Sequence, residues 1–283
     1  MIKPKFSSRD RGELTRDAIQ SASLALRAER AEEAERIARA LLQADAFNIP
    51  ALRVLGYAML MQDRFEDTIK LLGDAARRCR DSELDTQIAI ALRRTGKLAD
   101  ALSKLKRATK RQPPFPAAFH ELGLLLGAMN RDNEAIIAFS GGLKIAPLMP
   151  ELSLELGFAL LRQKRLAEAK SAFSQALAIS PRSFCGFSGL AGAHQQAGEY
   201  QAAVRCLRQA LLIEPSDQNT WISLGHCLLR TGQRDAGFDC FRTAARSDSK
   251  WYGKALSSLA SSGRGRAWLK PSGAARFMRE LKT

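Results

Sequence analysis

The chain is short of the residues from which most catalytic and metal sites are built. Only three histidines occur in 283 residues, His120, His194 and His226, and no H-E-x-x-H spacing sets two of them on one helix face. The five cysteines, Cys79, Cys185, Cys206, Cys227 and Cys240, contain no C-x-x-C pair and are odd in number. That argues against a disulfide framework or a zinc site and for a reducing compartment. No apolar run approaches the ~18 residues of a membrane span, and Met1 to Ser8 lack the apolar core of an export signal. A cytoplasmic location is the expectation. Aromatic residues make up only 7%, which fits helices packed through Ala and Leu better than a β-sandwich. There is no G-x-G-x-x-G. Gly141-Gly142-Leu143-Lys144 lacks phosphate-loop spacing, and Gly186-Phe187-Ser188-Gly189 has Leu190 where a nucleophile elbow needs glycine. The expectation is a protein that is not an enzyme, with no catalytic residue, cofactor, metal ligand or small-molecule substrate.

What is abundant is apolar residue, 46%, and positive charge, 44 Lys and Arg against 29 Asp and Glu, net +15. The excess is uneven: residues 218–283 carry +8 and residues 82–149 carry +4. Such an excess favours acidic partners, nucleic acid or anionic surfaces, or merely solvates the fold.

Proline recurs at Pro113, Pro147, Pro181 and Pro215. At the same step of 34 run Ala101, Ala135, Ala169 and Ala203, then Leu105, Phe139, Phe173, Leu207 and Phe241. Gly123, Gly157, Ala191 and Gly225 form a small-residue series, each preceded by leucine. A period of this length marks stacked supersecondary units. Each unit reads as two helices. A small residue such as Gly157 on the first helix lets the second approach, and Ala169, Phe173 and Ala176 form the facing stripe of the second. Gly96, Gly198 and Gly232 mark the turn within a unit, and the proline ends it.

With "WISLGHCLLRTGQRDAGFDCFRTA" from Trp221 and "AFHELGLLLGAMNRDNEAIIAFSGGLKIAP" from Ala118, the chain resembles the tetratricopeptide-repeat (TPR) family. The resemblance implies an all-α, right-handed superhelical solenoid of about seven helix-turn-helix units plus a C-terminal capping helix. The expected units are 15–48, 49–81, 82–115, 116–149, 150–183, 184–217 and 218–251. Residues 1–14 read as a flexible segment, and 252–283 as a capping helix with a basic tail.

The family resemblance also implies a non-catalytic scaffold or adaptor that binds a partner protein or peptide in a concave groove of first helices. The places that would line it are Arg53, Tyr57, Arg93, Arg94, His120, Arg162, Arg182, Gln195, Gln196, Asn219, His226, Arg230 and Lys250. Basic residues outnumber acidic ones there, with Asp81, Glu83, Glu151 and Asp217 in opposition, so a partner with acidic segments is expected. A second helix, "KLADALSKLKRATKRQ", sets Lys104, Lys106, Arg107, Lys110 and Arg111 on an outward, convex patch with only Asp100 against them in that stretch. This patch supports the rival reading, a binder of nucleic acid or anionic surfaces. The 34-residue step argues against an RNA-reading repeat of 35, and the scarcity of aromatics argues against base stacking. A third reading is an accessory subunit of a separate transferase.

Overall fold

The structure, a computed structural model, describes residues 8–246. Every regular element among them is helical. The chain divides between Ala146 and Pro147 into two compact units.

The first unit holds α1 (Ser8–Arg27), α2 (Ala31–Ala44), α3 (Ile49–Met61), α4 (Phe65–Cys79), α5 (Ser82–Arg94), α6 (Leu98–Ala108), α7 (Pro116–Ala128) and α8 (Asp132–Ile145). The second holds α9 (Pro150–Arg162), α10 (Leu166–Ile179), α11 (Phe184–Gln196), α12 (Tyr200–Ile213), α13 (Gln218–Arg230) and α14 (Arg234–Arg246). In both units each odd-numbered helix packs against the even-numbered one that follows, and α1 with α3, α3 with α5, α5 with α7 and α9 with α11 are also in contact. The result is a solenoid built from helix pairs.

The first helices start on strong signals. Asn48, Asp81, Ser183 and Asp217 each accept a hydrogen bond from backbone N–H groups of the first turn, and α3, α7 and α9 carry proline at the start. The turn inside each pair is closed by one recurrent bond. The backbone N–H groups of Arg30, Arg64, Lys97, Arg131, Arg165, Glu199 and Gln233 each donate to the carbonyl five residues earlier, at 2.8–3.0 Å. This is the Schellman closure, which needs a left-handed residue just before the donor. Gly96, Gly198 and Gly232 fill that place with φ of 79°, 78° and 87°. Glu29, Asp63, Asn130 and Lys164 fill it elsewhere with φ of 55–58°, so only some of these turns advertise themselves by glycine.

The small-residue series does what its spacing predicts. The Phe173 ring of α10 lies so close to Gly157 of α9 that a Cβ there would fall 2.7 Å from it. Gly189 of α11 approaches the same ring, with a Cβ position at 2.4 Å. One ring therefore seals a pair internally and joins it to the next, and it is fully buried, a contribution of about 1.5–3 kcal/mol. Phe139 against Gly123 repeats the arrangement in the first unit. Near the start of the chain the aromatic is missing and alanine does the packing: Ala22, Ala25, Ala34, Ala38 and Ala58 join Val54, Leu55 and Met59 in one buried cluster.

Helix α1 begins at Ser8, inside the segment whose polar composition suggested a flexible lead. Those residues are continuous with later turns that bury Ala22 and Ala25, and helix propagation from a packed turn costs far less than nucleation. Lys250 and the expected cap and tail at 252–283 lie outside the described residues.

Candidate interaction surface

Stacking α1, α3 and α5 side by side opens a cleft of about 480 Å3, lined by Ile19, Ser23, Leu26, Arg27, Pro50, Arg53, Val54, Tyr57, Met61 and Glu83. A second hollow of about 500 Å3 shares Ile19 and Pro50 with it and extends to Thr15, Arg16, Asp45, Phe47, Asn48 and Ile49. The walls are apolar, and Met61 remains 45% exposed. The polar groups come from one linked array. Arg53 Nη2 lies 2.6 Å from Asp81 Oδ2, and its Nε lies 3.1 Å from Glu83 Oε2. Asp81 is also the N-cap of α5, so one carboxylate both starts that helix and holds the arginine. The Arg53 carbonyl accepts from Gln87 Nε2 at 2.8 Å.

Electrostatics follow from this packing. Burial works to raise the Asp81 carboxyl, but the Arg53 hydrogen bond and the α5 N–H groups outweigh it and hold it below its ordinary value. Burial pushes the Glu83 carboxyl up against the pull of Arg53. Burial and the Glu83 carboxylate push the Tyr57 phenol well above its ordinary range, so Tyr57 is a neutral donor at any physiological pH. The array is therefore a fixed set of donors and acceptors in an apolar cleft, with two carboxylates against one guanidinium.

The other expected groove residues are placed as follows. Arg93 pairs with Glu121 at 3.1 Å. Arg94 stacks over the Phe65 ring of α4 at 5.8 Å. His120 faces Phe139 with centroids 6.3 Å apart. In the second unit, Arg230 stacks over Tyr200 of α12 at 4.9 Å, and the same ring meets His226 edge-on. Burial and Arg230 lower the His226 imidazole. Arg94 and Arg230 occupy equivalent places in the repeat, and each is engaged by an aromatic at the start of a second helix. Gln195 Nε2 donates to Cys227 Sγ at 3.0 Å and approaches the Ser223 carbonyl at 3.4 Å, which ties α11 to α13. Arg162, Arg182, Gln196 and Asn219 are exposed. The structure gathers Arg53 and Tyr57 into one cleft and engages Arg93, Arg94 and Arg230 in contacts elsewhere.

The expected outward patch differs most from the sequence reading. Asp85 of α5 is fully buried, and three members of the patch converge on it. Arg107 donates through Nε at 3.1 Å, Arg111 Nη2 lies at 2.9 Å and Lys104 Nζ at 3.8 Å. Lys106 and Lys110 are exposed. Asp100 was the only acid in the local stretch, and the true counter-ion sits one helix earlier, where linear charge counting does not look.

Sequence reasoning passed over Ile19, Leu26 and Met61, the apolar wall of the cleft, since what marks them is the half-buried placing of Ile19 and Leu26 and the exposure of Met61, which only packing reveals. His194 Nδ1 meets Glu199 Oε2 at 2.5 Å, a hydrogen-bonded role. All five cysteines are free thiols, and burial pushes those of Cys206, Cys227 and Cys240 up. Among the described residues no group of three or more His, Cys, Asp or Glu could hold a metal, and no helix is long and apolar enough to cross a membrane.

Family models described as tetratricopeptide repeat match residues 86–150, 120–184 and 160–219. No curated protein is a significant match to the sequence. Among solved structures, MamA superposes with a TM-score of 0.55 at 21% identity, covering 58% of this chain and 95% of its own. A tetratricopeptide repeat protein from Parabacteroides merdae gives 0.54 at 15% identity, covering 86% and 98%. YrrB, described as a TPR protein with an unusual peptide-binding site, gives 0.54 at 13%, covering 65% and 95%. At these identities the likeness is one of fold.

Proposed function

Because this chain is a multi-repeat member of the tetratricopeptide-repeat family, we propose that it is an interaction scaffold that holds a segment of a partner protein on its first-helix surface. The observation that carries the reading is the cleft between α1, α3 and α5. It combines a half-buried apolar wall, exposed at Met61, with donors and acceptors already fixed in place by Asp81 and Gln87. Apolar walls with a few oriented polar groups are what a binding cleft requires, and fixing the array beforehand removes part of the ordering cost of association. The solved fold of YrrB, a TPR protein with a peptide-binding site, supports the same use of the architecture.

The partner segment that fits is an extended or helical peptide with one apolar side chain for the Ile19, Leu26 and Met61 wall. A carboxylate or carbonyl beside it would reach Arg53 and Tyr57. An acidic side chain here competes with Asp81 and Glu83 for Arg53, so the apolar anchor supplies most of the affinity and the acid sets its register. This reading assigns no reaction to the chain.

The test begins with capture of the partner from the native host, followed by titration of its binding segment. Met61→Asp and Leu26→Asp place a charge in the apolar wall, and Arg53→Ala removes the fork. Each should weaken binding at least tenfold, about 1.4 kcal/mol, with circular dichroism unchanged. Lys106→Ala together with Lys110→Ala should change affinity only at low salt, where surface charges are not screened. Full affinity in Met61→Asp with loss in the Lys106/Lys110 variant would move the site off the cleft and favour the basic surface instead.

A further inference from the structure

Asp85 is anomalous on two counts. It stands where the repeats 34, 102 and 136 residues on carry the aromatic rings of Phe119, Phe187 and Trp221, and the repeat 68 residues on carries the uncharged Ser153, so it is the one ionisable group in the series. It is also a fully buried carboxylate, which is costly unless paired and hydrogen-bonded. Its pairing overshoots. Lys104, Arg107 and Arg111 all share its two oxygens, so one negative charge faces three positive ones. Arg77 of α4, itself paired with Asp74, adds repulsion at Lys104. Burial is the main cause that draws the Lys104 ammonium below its ordinary value, and its cationic neighbours add to that despite Asp85. The local field therefore stays positive after the built-in counter-ion is satisfied. Arg111 Nη1 is buried and donates to nothing. An unused guanidinium donor beside surplus charge is a site with unfilled valence for an acceptor.

We propose that Lys104, Arg107 and Arg111, ordered by the buried Asp85, form an oxyanion site on the second-helix side of the first unit that takes a phosphate group. The chemistry suits the ligand. Asp85 accepts from Arg107 Nε and Nη2 and ion-pairs with Arg111 Nη2 at 2.9 Å, which holds both guanidiniums and leaves N–H groups free to donate in a planar fork, the arrangement that binds phosphate in paired hydrogen bonds. Lys104 contributes a point charge from one turn away on α6. A dianion would balance the two surplus charges that Asp85 leaves. Arg107 and Lys104 remain 44% and 24% exposed in their side chains, so an oxyanion has a route in. The site is separate from the α1–α3–α5 cleft and stands whether or not that cleft binds a peptide.

The experiment uses the full chain and inorganic phosphate as the first probe. Backbone amide shifts and the melting temperature are followed against phosphate, with sodium chloride at matched ionic strength as the blank. The expected result is a saturable shift centred on α5 and the end of α6, with a rise in melting temperature that chloride does not reproduce. Arg107→Ala should weaken phosphate at least tenfold. Arg107→Lys keeps the charge and guards against misfolding. It should still lose several-fold, because the fork is gone. Lys110→Ala, an exposed cation nearby, should stay within twofold. A second arm compares a phosphoserine peptide with its unphosphorylated form. Tighter binding of the phosphopeptide than of phosphate assigns the source as a modified protein, and equal binding assigns free phosphate. If phosphate acts no differently from chloride, or if Arg107→Lys and Lys110→Ala weaken it equally, the cluster is only a structural ion network and the proposal fails.

Discussion

Gly157→Ala perturbs the packing of the second unit at its tightest seam. The new Cβ would lie 2.7, 2.8 and 2.9 Å from three carbons of the Phe173 ring. Carbon atoms settle at about 3.5–4.0 Å, so the ring is roughly 0.8 Å or more too close. It has little room to retreat, since the same ring carbons also lie only 2.4–2.8 Å from a Cβ position on Gly189. Overpacking of this kind costs about 1–3 kcal/mol. Replacing glycine by alanine in a helix interior returns about 1 kcal/mol. The single variant should therefore be destabilised by roughly 0–2 kcal/mol, and Gly157→Leu by more. Phe173→Leu alone should cost about 1–3 kcal/mol through the lost ring and residual cavity. Combined, the smaller side chain makes space for the methyl group, so the double variant should be more stable than the sum of the singles by at least about 1 kcal/mol. Urea unfolding followed by circular dichroism at 222 nm measures all four corners of the cycle. Additivity within about 0.5 kcal/mol would refute the claim that glycine at this place exists to admit the ring.

Two further outcomes are expected. Lys164 holds φ of 57° without being glycine, whereas Gly198 holds 78° with nothing within 4 Å of a Cβ position. Lys164→Gly should therefore stabilise by about 0.5 kcal/mol and Gly198→Ala should destabilise by about 1 kcal/mol, since only left-handed strain changes; opposite signs in thermal melts would contradict the turn assignment. Asp81 is held below its ordinary value of 3.8 by Arg53 and the α5 N-terminus. Its folded form binds protons less readily than the unfolded chain, so its contribution is complete above that value and is lost as pH falls through the folded value. Asp81→Asn should lower stability at pH 7 and flatten the loss of stability between about pH 5 and 3; an unchanged acid limb would show that the pair with Arg53 carries no stability.

The fold was legible in the sequence because it is periodic. Glycine at 123 and 157 needs aromatic partners at 139 and 173, and the step of 34 repeats that requirement along the chain until the pattern cannot be mistaken for a single coincidence. Such information is local: a helix face, a cap and a turn are settled within a few residues of one another. Even there the signal thins, since four of the left-handed turn positions lack glycine: Asp63 and Asn130 keep a weaker turn preference, and Glu29 and Lys164 announce none.

The site was legible only in part, and for a physical reason. Arg53 and Tyr57 could be placed on a first helix by their repeat positions. What those charges do depends on groups brought near by stacking. Arg53 meets Asp81 and Glu83 across 28 and 30 positions, Arg93 meets Glu121 across 28, and Arg107 meets Asp85 across 22. A count of basic against acidic residues predicts the sum of a surface but not its pairing. Coulomb energy is settled by distances of a few ångströms and by burial, and both are properties of the packed stack. The periodic sequence by itself determined the helix pairs and their seams; the tertiary structure decided which arginines are already spoken for and which apolar side chains are left facing a partner.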